Sequence, residues 1–159
     1  MKEVLPRIYQ GSWKDAKDES QLRLHQITHV VNASEITIPI HETLQITSLI
    51  INVPDYEDDE NPLSSHMSKV NRFIHNAWIK GGSILVHCLA GKSRSIALTL
   101  SYLGQKHHMD YLEARACLQD AGISLGDVNP SFLIDVRERI EMWQEGRKLM
   151  NESKASSVT

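Results

Sequence analysis

The chain of 159 residues is long enough for one domain and short for two, and at this size roughly 70% of the unfolded surface is buried, enough for a core without staples. With 41% apolar and 23% charged residues, a formal net charge of −3 and no long Lys/Arg run, the composition is globular and excludes nucleic acid as an obligatory partner. Two cysteines, Cys88 and Cys117, are too few for a disulfide framework or a structural zinc site, and they point to a reducing compartment, cytoplasmic or nuclear.

In chain order, Met1-Lys2-Glu3 is unlike a signal peptide, and Lys2 stands where myristoylation requires glycine. No apolar run is long enough to span a bilayer, so no stable membrane anchor is expected. Val4 to Gly11 reads as a short strand and turn, with Pro6 excluding it from a sheet centre. Asp15 to His25 reads as one short helix, Thr28 to Ala33 as a buried strand, and Leu44 to Val53 as a second apolar segment closed by Pro54. An acidic loop, Asp55 to Asn61, follows. Met67, Val70, Ile74, Ala77 and Trp78 share one helical side, which predicts a helix over Ser64 to Lys80, broken by Gly81-Gly82. Ile84-Leu85-Val86 is a continuous apolar run of the central-strand kind. Helices are predicted from Ser95 to His107, from Tyr111 to Ala121, and from Pro130 to about Leu149. Residues 151–159 read as a polar flexible tail. Alternating strands and helices give an α/β class with one sheet covered by helices.

One segment carries chemistry: Val86-His87-Cys88-Leu89-Ala90-Gly91-Lys92-Ser93-Arg94-Ser95, between a buried strand and a helix. Main-chain N–H groups of such a loop can converge on one centre as an anion nest, and the following helix adds the positive end of its dipole. Arg94 supplies a planar fork for two phosphate oxygens. A cysteine at the base of this cradle has its thiolate stabilised by the same donors. Gly91 lets the loop turn where a side chain would collide. Alone, a cysteine after a buried strand is a small core residue, and an arginine at a helix start is a surface charge. Together, with five residues between Cys88 and Arg94 and glycine third among them, they make a phosphate site with a nucleophile on its floor.

These residues resemble the dual specificity members of the protein tyrosine phosphatase superfamily, whose signature His-Cys-x-x-Gly-x-Ser-Arg-Ser is matched in full by residues 87–95. The resemblance spreads over roughly residues 4–145. Leu5-Pro6-Arg7-Ile8-Tyr9-Gln10-Gly11 is similar to the family's opening strand, and Ile27 to Ser34 to its second. Phe73-Ile74, Ser101-Tyr102-Leu103 and Asn129-Pro130-Ser131-Phe132 resemble the segments before and after the signature, the last with shorter spacing to its Phe. The resemblance implies a small, catalytic-domain-only phosphatase over residues 1–150, with a single mixed, mostly parallel central sheet flanked by helices.

It also implies a mechanism without metal or cofactor. Cys88 attacks phosphorus to give a phosphocysteine, a carboxylic acid protonates the departing oxygen, and the carboxylate then activates water. Leu89, Ala90, Gly91, Lys92, Ser93 and Arg94 would hold the phosphate, Ser95 would help the thiolate leave, and His87 would orient the loop and tune Cys88. Asn129 either tethers the loop or caps the helix opened by Pro130. In the family the acid is an Asp after a strand ending in Ile-Pro, and Ile51-Asn52-Val53-Pro54 resembles that end, which selects Asp55; ungapped alignment selects Glu57 instead. Lys92 resembles a basic position in the phosphoinositide phosphatases of the wider superfamily, but Leu89 stands where those carry a second lysine, so a solvated rim charge is the competing reading. Phosphorylated proteins are the expected substrates, phosphoinositides or other non-protein phosphates the alternative. A phosphate-binding module without turnover is the reading from another functional class. Cys117 shares a helical face with Ala114, Leu118 and Ala121 and is expected to pack in the core.

Overall fold

The computed structural model describes residues 1–158. β1 (Lys2–Leu5), β2 (Ile8–Ser12), β3 (His29–Asn32), β4 (Thr47–Ile50) and β5 (Ile84–Cys88) form one sheet in the order β1-β2-β5-β3-β4. β2 and β3 both run parallel to β5, and β4 runs parallel to β3; β1 alone is antiparallel. The expected mixed, mostly parallel sheet flanked by helices is therefore what the chain forms.

Side chains alternate across the sheet with the period of two that strands impose. Ile8, Val31, Ile84 and Val86 face the larger core, shared with α4 (Met67–Ile79), α5 (Arg94–Lys106), α6 (Tyr111–Asp120) and α7 (Pro130–Ser157). Tyr9, Val30 and Leu85 face the smaller one, closed by Ala16 of α1 (Trp13–Lys17), Leu22 of α2 (Glu19–Leu24) and the loop residues around α3 (Ile40–Thr43). α5 is buried from Arg94 to Gly104, so it is the central helix of its layer. Asn71 ties α4 to it, donating to Ser101 Oγ (2.9 Å) and Gln105 Oε1 (3.0 Å).

Several boundaries differ from the sequence reading, each for a local reason. Pro6 does not keep its segment out of the sheet interior. It lies in the turn, where Arg7 takes φ +68°, and the strand that follows, β2, lies between β1 and the central β5. The helix expected over Asp15 to His25 is two, because Asp18 leaves helical geometry (φ −80°, ψ 95°) and caps α2 through its carboxylate on the Gln21 N–H. The helix expected from Ser64 opens with a 3₁₀ turn, Leu63–His66, before α4. α7 continues well beyond Leu149 to Ser157, so most of the tail expected at 151–159 is helical. After Gly146 no glycine or proline interrupts it, and Lys154 complements the dipole in its last turn. Only Phe132, Val136 and Ile140 of α7 are buried, and residues 151–158 are all exposed. Among the described residues no helix is long and apolar enough to cross a membrane.

Candidate active site

Parallel strands open their carboxyl ends onto one edge, the place where α/β sheets bind ligands. Cys88 is the last residue of the central strand β5, in register with Ser12 of β2, and is 2% exposed. Arg94, 3% exposed, is the first residue of α5. The loop between them is held by contacts from distant parts of the chain. The carbonyl of Leu89 accepts from the Trp13 N–H (3.1 Å), one of the free donors at the start of α1. The carbonyl of Gly91 accepts from Gln10 Nε2 (2.8 Å), and Ser93 Oγ accepts from the main-chain N–H of Asn129 (3.1 Å).

Gly91 is required on two counts. Its φ is +71°, and a Cβ there would lie 2.8 Å from the Gly11 carbonyl oxygen. The loop thus packs directly on the last two residues of β2, Gly11 and Ser12. Among the described residues, no main-chain carbonyl accepts from the N–H groups of Leu89 to Ser93. Donors grouped at a helix start without protein partners are what an anion cradle requires.

Arg94 is oriented rather than free. Its Nη1 donates to the Val53 carbonyl (2.7 Å) and to Glu35 Oε1 (3.1 Å). Its Nε is buried and has no protein partner among the described residues. A buried, unpaired guanidinium N–H is costly, and a bidentate oxyanion on that edge would remove the cost. Cys88 Sγ lies 3.2 Å from Ser95 Oγ, in the first turn of α5.

His87 is fully buried, and burial drives its pKa from 6.5 to about 4. The ring is therefore neutral at physiological pH and acts without charge. Its Nδ1 meets the carbonyl of Cys88 at 3.3 Å, so Nδ1 carries the proton. Asn129 combines the two roles left open by the sequence, with different atoms. Its side chain caps α7, Oδ1 accepting from the N–H and Oγ of Ser131 (3.1 and 2.9 Å), while its main chain tethers Ser93. Lys92 is on the rim, two-thirds exposed and 3.7 Å from Asp127.

Asp55 and Glu57 both lie exposed in the segment after β4. The Val53 carbonyl under Arg94 anchors this segment just before Asp55. Asp58 accepts the N–H of Glu60 (3.0 Å) in a local turn. Cys117 is half-buried, its thiol directed at the Val4 carbonyl (3.6 Å), and burial together with Asp120 pushes its pKa up, so it is a weak nucleophile. Among the described residues no group of three or more His, Cys, Asp or Glu is placed to hold a metal ion.

Three participants escaped the sequence reading: Glu35 and the Val53 carbonyl, which orient Arg94, and Gln10. The first two carry no sequence signal, since one is a solvated acid after a strand and the other a main-chain atom. Gln10 carried one: alternation with Ile8 sets an amide on the apolar face of β2.

The catalytic-domain model of the dual specificity phosphatases matches residues 8–141. This chain belongs to that family. Dual specificity protein phosphatase 15 of mouse is 34% identical over 151 residues, which cover 94% of this chain and 60% of that protein, so the chain spans less than two-thirds of that relative. Human dual specificity protein phosphatase 22 is 30% identical over 138 residues, covering 87% of this chain and 72% of the relative. The crystal structure of dual specificity phosphatase 15 superimposes with a TM-score of 0.79 at 30% identity, over 96% of this chain and 95% of that one.

Proposed function

We propose that this dual specificity family member hydrolyses phosphomonoesters on phosphotyrosine and phosphoserine/threonine proteins through a phosphocysteine intermediate. The observation that carries the reading is the unpaired, buried Nε of Arg94, at the end of a loop whose N–H groups are unspent and whose floor is Cys88. In the first step the Cys88 thiolate attacks phosphorus. The P–O ester bond breaks with its electron pair going to the leaving oxygen, which takes a proton from the Asp55 carboxyl. In the second, water attacks the phosphocysteine and loses a proton to the Asp55 carboxylate. The S–P bond breaks toward sulfur, and the Ser95 hydroxyl stabilises the departing thiolate. Arg94 and the N–H groups of Leu89, Ala90, Gly91, Lys92 and Ser93 hold the equatorial oxygens in both steps.

The pairing of Lys92 with Asp127 supports protein substrates over phosphoinositides, because the rim charge is already offset. Two free cysteines, one of them the nucleophile, support a reducing compartment, cytoplasmic or nuclear. Pre-steady-state hydrolysis of para-nitrophenyl phosphate tests the reading. A burst followed by slower turnover, abolished in Cys88→Ser, is expected; binding of phosphate without a burst or turnover would make the protein a binding module. A panel of phosphopeptides and phosphoinositides, compared by kcat/KM, tests the substrate class.

A further inference from the structure

Gln10 is a buried amide on the core face of β2, 4% exposed, beside Val86 of β5. An unsatisfied amide there would be costly, so its partners identify what it does. Nε2 lies 2.8 Å from the Gly91 carbonyl oxygen and 2.8 Å from Ser95 Oγ. A carbonyl only accepts, so the atom facing Gly91 must be the NH2 and not Oε1; the chemistry of the pair fixes the orientation of the amide. The NH2 has two hydrogens. Gly91 and Ser95 Oγ, both at 2.8 Å, take them ahead of the Gly11 carbonyl at 3.5 Å.

The consequence falls on Ser95. A hydroxyl that accepts from Gln10 must direct its single hydrogen elsewhere, and Cys88 Sγ is 3.2 Å away. Without Gln10, rotation about the Ser95 C–O bond would leave that hydrogen free to point at other acceptors. The structure assigns Gln10 as a positioning residue: through Ser95 it aims an O–H at the Cys88 sulfur, and through Gly91 it holds the midpoint of the phosphate loop. This rests on the phosphocysteine reading. The sulfur bears most negative charge as the free thiolate and as the leaving group of the second step, so Gln10 acts at those two points and little on phosphate binding. Its contribution is that of a relay, Gln10 N–H to Ser95 O–H to Cys88 S, whose links strengthen one another.

A double-mutant cycle between Gln10→Met and Ser95→Ala tests this, with Gln10→Glu as a second probe of the site. Methionine keeps length and apolar packing but donates nothing. Steady-state kcat on para-nitrophenyl phosphate is expected to fall roughly tenfold in Gln10→Met, with KM falling beside it because slower breakdown of the phosphocysteine lowers both, and with a smaller change in the burst rate. The pH midpoint of Cys88 alkylation by iodoacetate is expected to rise. In the Ser95→Ala background Gln10→Met should cost clearly less in both readouts, the remainder being the lost anchor on Gly91. An equal loss in both backgrounds, or a fall in turnover with an unmoved alkylation profile, overturns the assignment. Alkylation requires no turnover, so it reads the relay even if wild type shows no burst. Absence of both burst and turnover defeats the phosphatase reading, and an uncoupled cycle defeats the relay alone. Gln10→Glu keeps an acceptor but loses the donors, and it is expected to raise the alkylation midpoint further by setting a negative charge against the thiolate.

Discussion

Arg94 Nη1 donates to the main-chain carbonyl of Val53 at 2.7 Å, across 41 positions of sequence. The contact joins the residue proposed to clamp phosphate to the segment that carries the proposed acid. Because Nη1 is engaged there and on Glu35, the edge bearing the unpaired Nε is the one left for an oxyanion. Lysine cannot reproduce this division of labour, since an ammonium has no rigid fork. Arg94→Lys is expected to lower kcat/KM on para-nitrophenyl phosphate by ~10²-fold or more. Thermal melting should show the variant folded, and near-wild-type kinetics would remove Arg94 from the proposed role.

The same anchor makes the choice of acid testable. Asp55→Asn is expected to cost ~10²-fold on phosphothreonine peptides, whose alkoxide leaving group needs a proton, and much less on para-nitrophenyl phosphate, whose leaving group does not. Glu57→Gln should leave both nearly unchanged. If the two variants exchange these behaviours in steady-state assays, Glu57 is the acid.

Gly91→Ala should damage both fold and function. A left-handed φ costs an ordinary residue about 1–2 kcal/mol, and the added Cβ would press on the Gly11 carbonyl, main-chain rather than a yielding side chain. Gly126→Ala is the control, because the nearest atom to its Cβ would be Ser124 Oγ at 3.5 Å. Denaturant unfolding and turnover should fall together for the first and stay near wild type for the second.

The loop was legible in the sequence because its parts are contiguous: Cys88, Gly91, Arg94 and Ser95 fall within one turn and a helix start. The central strand was legible as an unbroken apolar run. What was not legible is set by contacts between distant segments. Glu35 and Val53 reach Arg94 only after β3, β4 and β5 align at their carboxyl ends. Asp18 hid a helix boundary because aspartate is also tolerated on a helix surface, and only its cap on Gln21 reveals the break. The far end of α7 departs from the expected flexible tail because polar composition alone does not separate a loose end from a solvated helix, and Asn151 to Ser157 contains no helix breaker.

Burial of neutral His87 has a consequence for stability with a definite sign. The unfolded chain takes up the proton near pH 6.5, while the folded one resists it until about 4. The contribution of the neutral ring is therefore complete above about pH 6.5 and is lost progressively as pH falls toward 4, up to about 3 kcal/mol. His41, its ring centroid 6.4 Å away and its pKa also lowered by burial, adds in the same direction. Denaturant unfolding between pH 4.5 and 7.5 should show a shallower pH slope in His87→Gln than in wild type, and equal slopes would contradict the account.

Trp13 near one end of the chain and Asn129 near the other clasp the phosphate loop through main-chain hydrogen atoms. The shape of the loop is then a property of the assembled whole. With either clasp open, the signature residues remain but their geometry does not. Loosening at either end should abolish the proposed turnover before the core melts.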